Sequence, residues 1–349
     1  MTNKINDNWE PLTGIELFLH LMMTQLDCYQ ALQNKLNSVA FVPLGRNKIA
    51  IHLKCLPSYL QALDTLNPVK YRYTPELDAF LACVAANPIP DHGLFELICR
   101  CPQPSKRNSS VELELMRGFV SHFLADLHRR LHSIETRNQI AHQERDIIRR
   151  FEKMSAYVDN LFKLNDQYTV IRVDLSYSKE TGEEQSQEQQ DKVRIEFDTI
   201  KSDWNRLYTN MRHNQLFNGL EGYIYKIEHG MEKGLHIHWL LFFDTSQCKL
   251  EDTLLAQKLG EYWQCDIASH QGQYWNCHGN EQKKMYSDLG ILAIGQVDHD
   301  NEQKRKNLLN IVRYFCKRRQ FIKPRDNPKA RLLESGLIEV GLISEQQCI

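Results

Sequence analysis

No stretch of the 349 residues approaches the roughly 18 consecutive apolar side chains that a membrane span requires. The opening residues, MTNKINDNWE, contain no apolar core of a secretory leader. A charge imbalance is missing too. The 43 Lys and Arg meet 44 Asp and Glu for a net charge of −1, which argues against a surface coated all over with phosphate-binding cations. Ten cysteines are present but lack the spacing of a disulfide framework, and in a chain this long they read as reduced thiols. These absences lead us to expect a soluble, cytoplasmic protein whose length suits about two domains.

The chain changes character midway. Up to about Leu164 the apolar residues recur at helical spacing: Ile15, Phe18, Leu19, Met22, Leu26 and Tyr29, then Leu113, Met116, Val120, Phe123, Leu127, Leu131 and Ile134. Breaks fall at Asn87-Pro88-Ile89-Pro90 and at Cys101-Pro102-Gln103-Pro104-Ser105. This half carries no catalytic signature and reads as a scaffold or partner-binding region. From Tyr168 the run YTVIRVDLSY is rich in β-branched and aromatic residues, with Arg172, Asp174 and Ser176 on one face and Ile171, Val173 and Leu175 on the other. Ser178 to Asp191 is polar enough for a loop. A helix over about Lys192–Arg212 follows, then two strands, a helix near Glu251–Gln264, a strand near Ile291–Val297 and a helix over Asn301–Arg319. The order β-α-β-β-α-β-α predicts an α+β protein: a mostly helical region over 1–164, a ferredoxin-like (split βαβ) antiparallel sheet over 165–335, and a tail over 336–349. Helices are expected on one face of the sheet, leaving the other free for a ligand.

The chemistry centres on His236-Ile237-His238, inside the run LHIHWLLFF. In a strand, side chains two apart point the same way with Cα atoms roughly 6.6 Å apart, so both imidazoles can reach one ion. Gly230 to Gly234 (GMEKG) reads as a turn, and a symmetric hairpin about Glu232 sets Glu228 opposite His236 and Lys226 opposite His238. Two imidazoles and a carboxylate then share a face. With 14 histidines in the chain the pattern is cheap, and an ordinary half-buried strand remains the competing reading.

Tyr314 and Lys317 stand three apart on the last helix, where an ammonium beside a phenol favours phenolate. Tyr223 and Lys226 repeat that spacing, but three apart on a strand they face opposite ways, so Tyr223 is a decoy. Around Tyr314 crowd Lys304, Arg305, Lys306, Arg313, Lys317, Arg318, Arg319, Lys323, Arg325, Lys329 and Arg331, in a segment whose only acids are Glu302 and Asp326. Such a block suits a polyanion, or else a solvated helix face and tail. Cys265, His270, Cys277 and His278 match no zinc-finger spacing and sit in what reads as a loop. His299 could approach the metal face, though its flanking Asp298 and Asp300 suit a solvated turn.

RVDLSY, then KIEHGMEKGLHIHWLLFFD, then YFCKRRQ together resemble the HUH endonucleases, and among them the replication initiators of the inovirus (filamentous-phage) gene II type. The resemblance covers about the second half of the chain, with Trp239 after the second histidine and Cys316, Arg318 and Arg319 around the lysine as departures. It implies a metal-dependent, site-specific nickase and strand transferase that starts rolling-circle replication of a phage or mobile element in a bacterial cell. A divalent Mg²⁺ or Mn²⁺ would be held by His236, His238 and Glu228, with Asp174 or His299 as alternatives to Glu228. Tyr314 would be the nucleophile and Lys317 its helper. Single-stranded DNA at an origin would be contacted by Arg172, Asp174, Arg313, Arg318, Arg319 and Lys323, and its bases by aromatics such as Tyr262, Trp263, Tyr274 and Trp275, unless half or more of these are core, the reading favoured for Trp263 on its helix. A host replication helicase would be a partner. The rival expectation is a catalytically silent DNA-binding protein that keeps the fold.

Overall fold

A computed structural model describes residues 11–37, 47–53, 55–56, 59, 71–88, 110–178, 197–230, 234–269, 271–317, 323–324 and 331–336. It is α+β, with a helical N-terminal region followed by an open antiparallel sheet. The chain forms two compact units, 1–144 with 321–328, and 145–320 with 329–349. Among the described residues no helix is long and apolar enough to cross a membrane.

The first unit contains α1 (Pro11–Thr24), α2 (Leu26–Leu36), α3 (Lys48–Leu53), the short strand β1 (Tyr71–Arg72), α4 (Pro75–Ala86) and α5 (Ser110–Leu131). Its core is the expected apolar stripe: Ile15, Phe18, Leu19, Met22, Val120, Phe123, Leu127 and Leu131 are buried. Two members of that stripe are not in it, because Leu26 and Ile134 are 50% and 81% exposed. Ile134 opens a new helix, α6 (Ile134–Leu164), after a break at His132-Ser133, where the Ser133 hydroxyl accepts from the Thr136 N–H. The expected break after Ala86 is real, with Asn87 ending α4, whereas that at 101–105 lies outside the described residues.

The second unit runs from the later part of α6 through β2 (Gln167–Tyr177), α7 (Phe197–Met211), β3 (Leu220–Gly230), β4 (Gly234–Asp244), α8 (Asp252–Tyr262) continued by a π turn to Ile267, β5 (Gly272–Asn276), α9 (Asn280–Asp288), β6 (Gly295–Asp298), α10 (Glu302–Cys316) and, beyond the short β7 (Lys323–Pro324) of the first unit, β8 (Leu333–Gly336). Across the sheet the strand order is β5-β2-β4-β3-β8, with β6 also on β2. The β3–β4 register is the one read from the sequence: Glu228 opposes His236 and Lys226 opposes His238.

Period-2 alternation sorts the strands into two faces. One presents Ile171, Val173, Leu175, Tyr225, Ile237, Trp239 and Leu241 to α7 and α8. Trp239 is fully buried there, edge-on to Trp204 with ring centroids 5.6 Å apart, which makes it a core residue and no intruder in the histidine strand. The opposite face is not free, contrary to expectation. Met154, Val158 and Leu161 of α6 and Leu308, Val312 and Phe315 of α10 pack on Tyr168, Val170, Leu240 and Phe242. That cover stops partway. Along β2, Tyr168 to Ile171 are all buried, but Arg172, Asp174 and Ser176 are only half-buried while their odd-numbered neighbours stay buried. The second face is therefore capped at one end and less fully covered along β2 at the other.

Four elements differ from the sequence reading. The stretch after Ile267, read as a loop, contains β5, and α9 and β8 were not anticipated. The last helix ends at Cys316, three residues short of expectation. One glycine explains the tight approach of α6: a Cβ on Gly222, beside an irregularity in β3, would strike the Tyr157 hydroxyl and the Leu161 methyls.

Candidate functional site

The less covered end of the second face carries the charged residues. Glu228 of β3 and His236 and His238 of β4 bring one ligand atom each within 4.8 Å of one another, and all three are buried. Nε2 of His238 lies 3.1 Å from Oε2 of Glu228. Neighbouring donors on an octahedral ion with bonds of about 2.1 Å sit about 3 Å apart, so one pair already has the separation of shared ligands. Two imidazoles with one carboxylate suit Mn²⁺ or another borderline cation better than oxygen-preferring Mg²⁺.

Asp174 belongs to this cluster. It opposes His238 in the β2–β4 register, and its Oδ1 lies 2.8 Å from His238 Nδ1. Nδ1 is a buried nitrogen with no hydrogen-bond partner, so its contact with Asp174 is one of charge. A carboxylate behind Nδ1 sets the tautomer that leaves Nε2 to face Glu228. Burial opposes the charge on both acids, but His238 and the neighbouring cations outweigh it. Asp174 is held well below the usual carboxylate range, and Glu228 is lowered to about 2. Burial likewise pulls the His238 pKa down, yet Asp174 and Glu228 override it and raise it.

Two cations complete the group. Lys226 Nζ lies 3.4 Å from Glu228 Oε2, and Arg172 Nε lies 3.5 Å from Asp174 Oδ1. Two carboxylates and two fixed cations balance. A bound dication would bring the local sum to +2, so the site would attract an anion.

Tyr314 reaches the cluster from α10. Asn301 caps that helix by accepting from the Lys304 N–H at 3.0 Å, and the Asn307 amide donates to Gly290 O and Leu292 O, both at 3.0 Å. Leu308, Val312 and Phe315 form the buried stripe, so Tyr314, one residue before Phe315, falls at its flank and is half-buried. Its ring centroid is 5.8 Å from that of His238, and the Arg172 guanidinium stands 5.7 Å from it. The sequence thus identified residues that the fold does bring together.

The ammonium beside the ring is a different one. Lys317 lies beyond the helix, in extended backbone with φ −60° and ψ 154°, and is exposed. Lys226 Nζ is 5.9 Å from the Tyr314 ring centroid and donates to the Lys317 carbonyl at 3.4 Å. The sequence sets Lys226 opposite His238 and uses it to dismiss Tyr223, but does not place it beside Tyr314. That tyrosine is indeed on the other face, buried beside Trp204.

Other expectations sort plainly. Arg172 and Asp174, taken as DNA contacts, are tied into the cluster by each other and by His238. Arg313 is exposed, with its guanidinium 4.5 Å from the Phe151 ring centroid. Lys323 pairs with Arg72 in the first unit, and Arg318 and Arg319 lie outside the described residues. His299 is exposed just past β6, whose Asp298 pairs with Gln167; that is seven residues before Asp174, or about 23 Å along β2, so His299 is no alternative ligand. His278 is no zinc ligand either. Its Nε2 accepts the Arg172 backbone N–H at 3.0 Å where β2 passes from β6 to β5, and its Nδ1 lies 3.0 Å from Asp252 Oδ2. Cys265 is exposed and Cys277 buried, and His270 is outside the described residues. A second phenol escaped the reading: Tyr286 of α9 feels the charges of Arg172 and Asp174, with burial raising its pKa.

Fold and site thus define an α+β protein with a buried Glu-His-His cluster, able to hold a metal ion, under a helix-borne tyrosine. The chain matches the family model of the YagK/YfjJ C-terminal domain over residues 131–327 and belongs to that family. No curated protein and no solved structure matches it.

Proposed function

We propose that this protein is a metal-dependent, site-specific nickase and strand transferase of the HUH type, acting on single-stranded DNA to start rolling-circle replication of a phage or mobile element. The observation that carries the reading is the Tyr314 ring 5.8 Å from His238, beside the buried Glu228, His236 and His238. The strand order β5-β2-β4-β3, with α7 joining β2 to β3 and β4 between them, supports a split βαβ, ferredoxin-like core.

When bound by Glu228, His236 and His238, a divalent cation supplies a Lewis acid that offsets charge on a non-bridging phosphate oxygen. Asp174 orients His238 from behind, and Arg172 and Lys226, each within 6 Å of the centre of the Tyr314 ring, offer positive charge to the phosphate. The Tyr314 oxygen attacks phosphorus and its proton leaves to solvent. The bond from phosphorus to O3′ breaks, and that oxygen takes up a proton as a free 3′-hydroxyl. The 5′-phosphate stays on Tyr314 as an ester that keeps the energy of the broken bond, so a later 3′-hydroxyl can reverse the step and seal a circle.

The test is to incubate the protein with Mn²⁺ and labelled single-stranded DNA from the replicon that carries its gene, then look for a covalent adduct on a denaturing gel. Tyr314→Phe abolishes the adduct and Tyr223→Phe keeps it. A second reading draws on the Lys226–Glu228 and Arg172–Asp174 pairs, which give each carboxylate of the cluster a cation without any metal. On that reading the protein is a silent DNA-binding relative. Absence of both Mn²⁺ binding and adduct, with DNA binding retained, decides for it.

A further inference from the structure

The register of the sheet places one more residue on the site's face. Asp174 opposes Trp275 in the β2–β5 pair and His238 in the β2–β4 pair, while His238 opposes Lys226 in the β3–β4 pair. Directly opposite residues share a face. Trp275, Asp174, His238 and Lys226 therefore form one rung across four strands, on the side that carries Tyr314. The neighbouring Tyr274 packs into the core on the opposite face, as alternation requires. Strands lie about 4.8 Å apart, so Trp275 stands about 10 Å from His238, two strands away.

Its exposure is what needs explaining. Trp204, Trp239 and Trp263 are at most 3% exposed, whereas Trp275 is 54% exposed on the edge strand β5. Trp263 has its own partner, donating from Nε1 to the Ser176 carbonyl at 3.0 Å. An open indole in line with a phosphate-binding cluster matches what a single strand presents: a charged backbone with a flat base one short step away. Stacking needs only a π-face, so it tolerates any base.

We propose that Trp275 is the base-stacking platform of this site, gripping single-stranded DNA beside the phosphate held over His238 and Lys226. This rests on the nickase reading for the identity of the ligand, but its test does not need cleavage. Titrate the full chain, without metal, with fluorescein-labelled oligo(dT), and follow both anisotropy and tryptophan emission. Wild type binds with quenching. Trp275→Ala weakens binding by roughly 10- to 100-fold, the size of one stacked base, and loses most of the quench, while Trp275→Phe recovers most of the affinity. Equal affinity of Trp275→Ala and wild type overturns the inference, and so does a wild-type protein that does not bind oligo(dT). If Trp275-dependent binding holds but no adduct ever forms, the nickase reading fails alone. If the adduct forms at the same DNA concentrations with and without the indole, the stacking role fails alone.

Discussion

The ammonium of Lys226 stands 5.9 Å from the centre of the Tyr314 ring, although the two residues lie 88 positions apart and on different elements. The lysine that follows Tyr314 at helical spacing, Lys317, is instead exposed past the end of α10. If Lys226 provides the cation of the site, Lys226→Met lowers adduct formation by roughly 10²-fold or more, the usual cost of losing one preorganised charge. Lys317→Ala costs less than about 10-fold on the same scale. Single-turnover rates of adduct formation decide between them, and equal losses would return the role to Lys317.

Asp174 stands behind His238 Nδ1 at 2.8 Å. Removing its charge with Asp174→Asn is expected to weaken Mn²⁺ binding by about 10- to 100-fold, as carboxylates behind metal-bound histidines generally do. Calorimetric titration of the metal into the full chain reads this directly. His236→Ala should leave no measurable site, and unchanged affinity in Asp174→Asn would reduce that acid to a structural partner of Arg172.

In the first unit, Asp126 accepts from Asn87 Nδ2 and Arg130 Nε, both at 2.9 Å, and also pairs with Arg129. Burial opposes its charge, but these three donors prevail and lower its pKa to about 2. A depressed carboxyl gives its full stabilisation above the unfolded value of about 3.9 and loses it as pH falls toward the folded one. The thermal midpoint of wild type relative to Asp126→Asn should therefore be constant above about pH 5 and shrink between pH 4 and 2. A constant difference throughout would mean that the contact carries no charge-dependent stability.

Gly222 sits where α6 crosses β3, and its missing Cβ leaves room for the Tyr157 hydroxyl, which accepts the Tyr223 N–H at 3.0 Å and donates to Gly336 O at 2.7 Å. Gly222→Ala should cost about 1–3 kcal/mol by urea unfolding, the usual price of overpacking. The paired change with Tyr157→Phe should recover part of it, since the phenol oxygen is the nearest obstacle. No loss in the single variant would show that α6 can shift.

What could be read without coordinates was what depends on neighbours in sequence. The Gly230 to Gly234 turn and period-2 alternation were enough to set Glu228 against His236 and Lys226 against His238. Asp174 as the partner of His238 was not legible, because the β2–β4 pairing joins residues more than 60 apart and no local pattern encodes it. For the same reason the local Tyr314–Lys317 spacing hid the long-range approach of Lys226. The short β5, GQYWN, looked like a loop because Gly and Gln dominate its flank, and with it the alignment of Trp275 was lost. The sequence leaves one sheet face free because the apolar stripe of α6 reads as part of the N-terminal scaffold, whereas Val158 and Leu161 cap the sheet.

The central claim is that Tyr314 becomes joined to DNA. After reaction with Mn²⁺ and single-stranded substrate, nuclease and protease digestion followed by mass spectrometry locates any nucleotide left on the protein. A 5′-phosphonucleotide on the peptide bearing Tyr314, absent when the metal is chelated, is the result expected. A nucleotide on Tyr223, Tyr286 or any other residue, or none on a protein that cuts its substrate, would contradict the account.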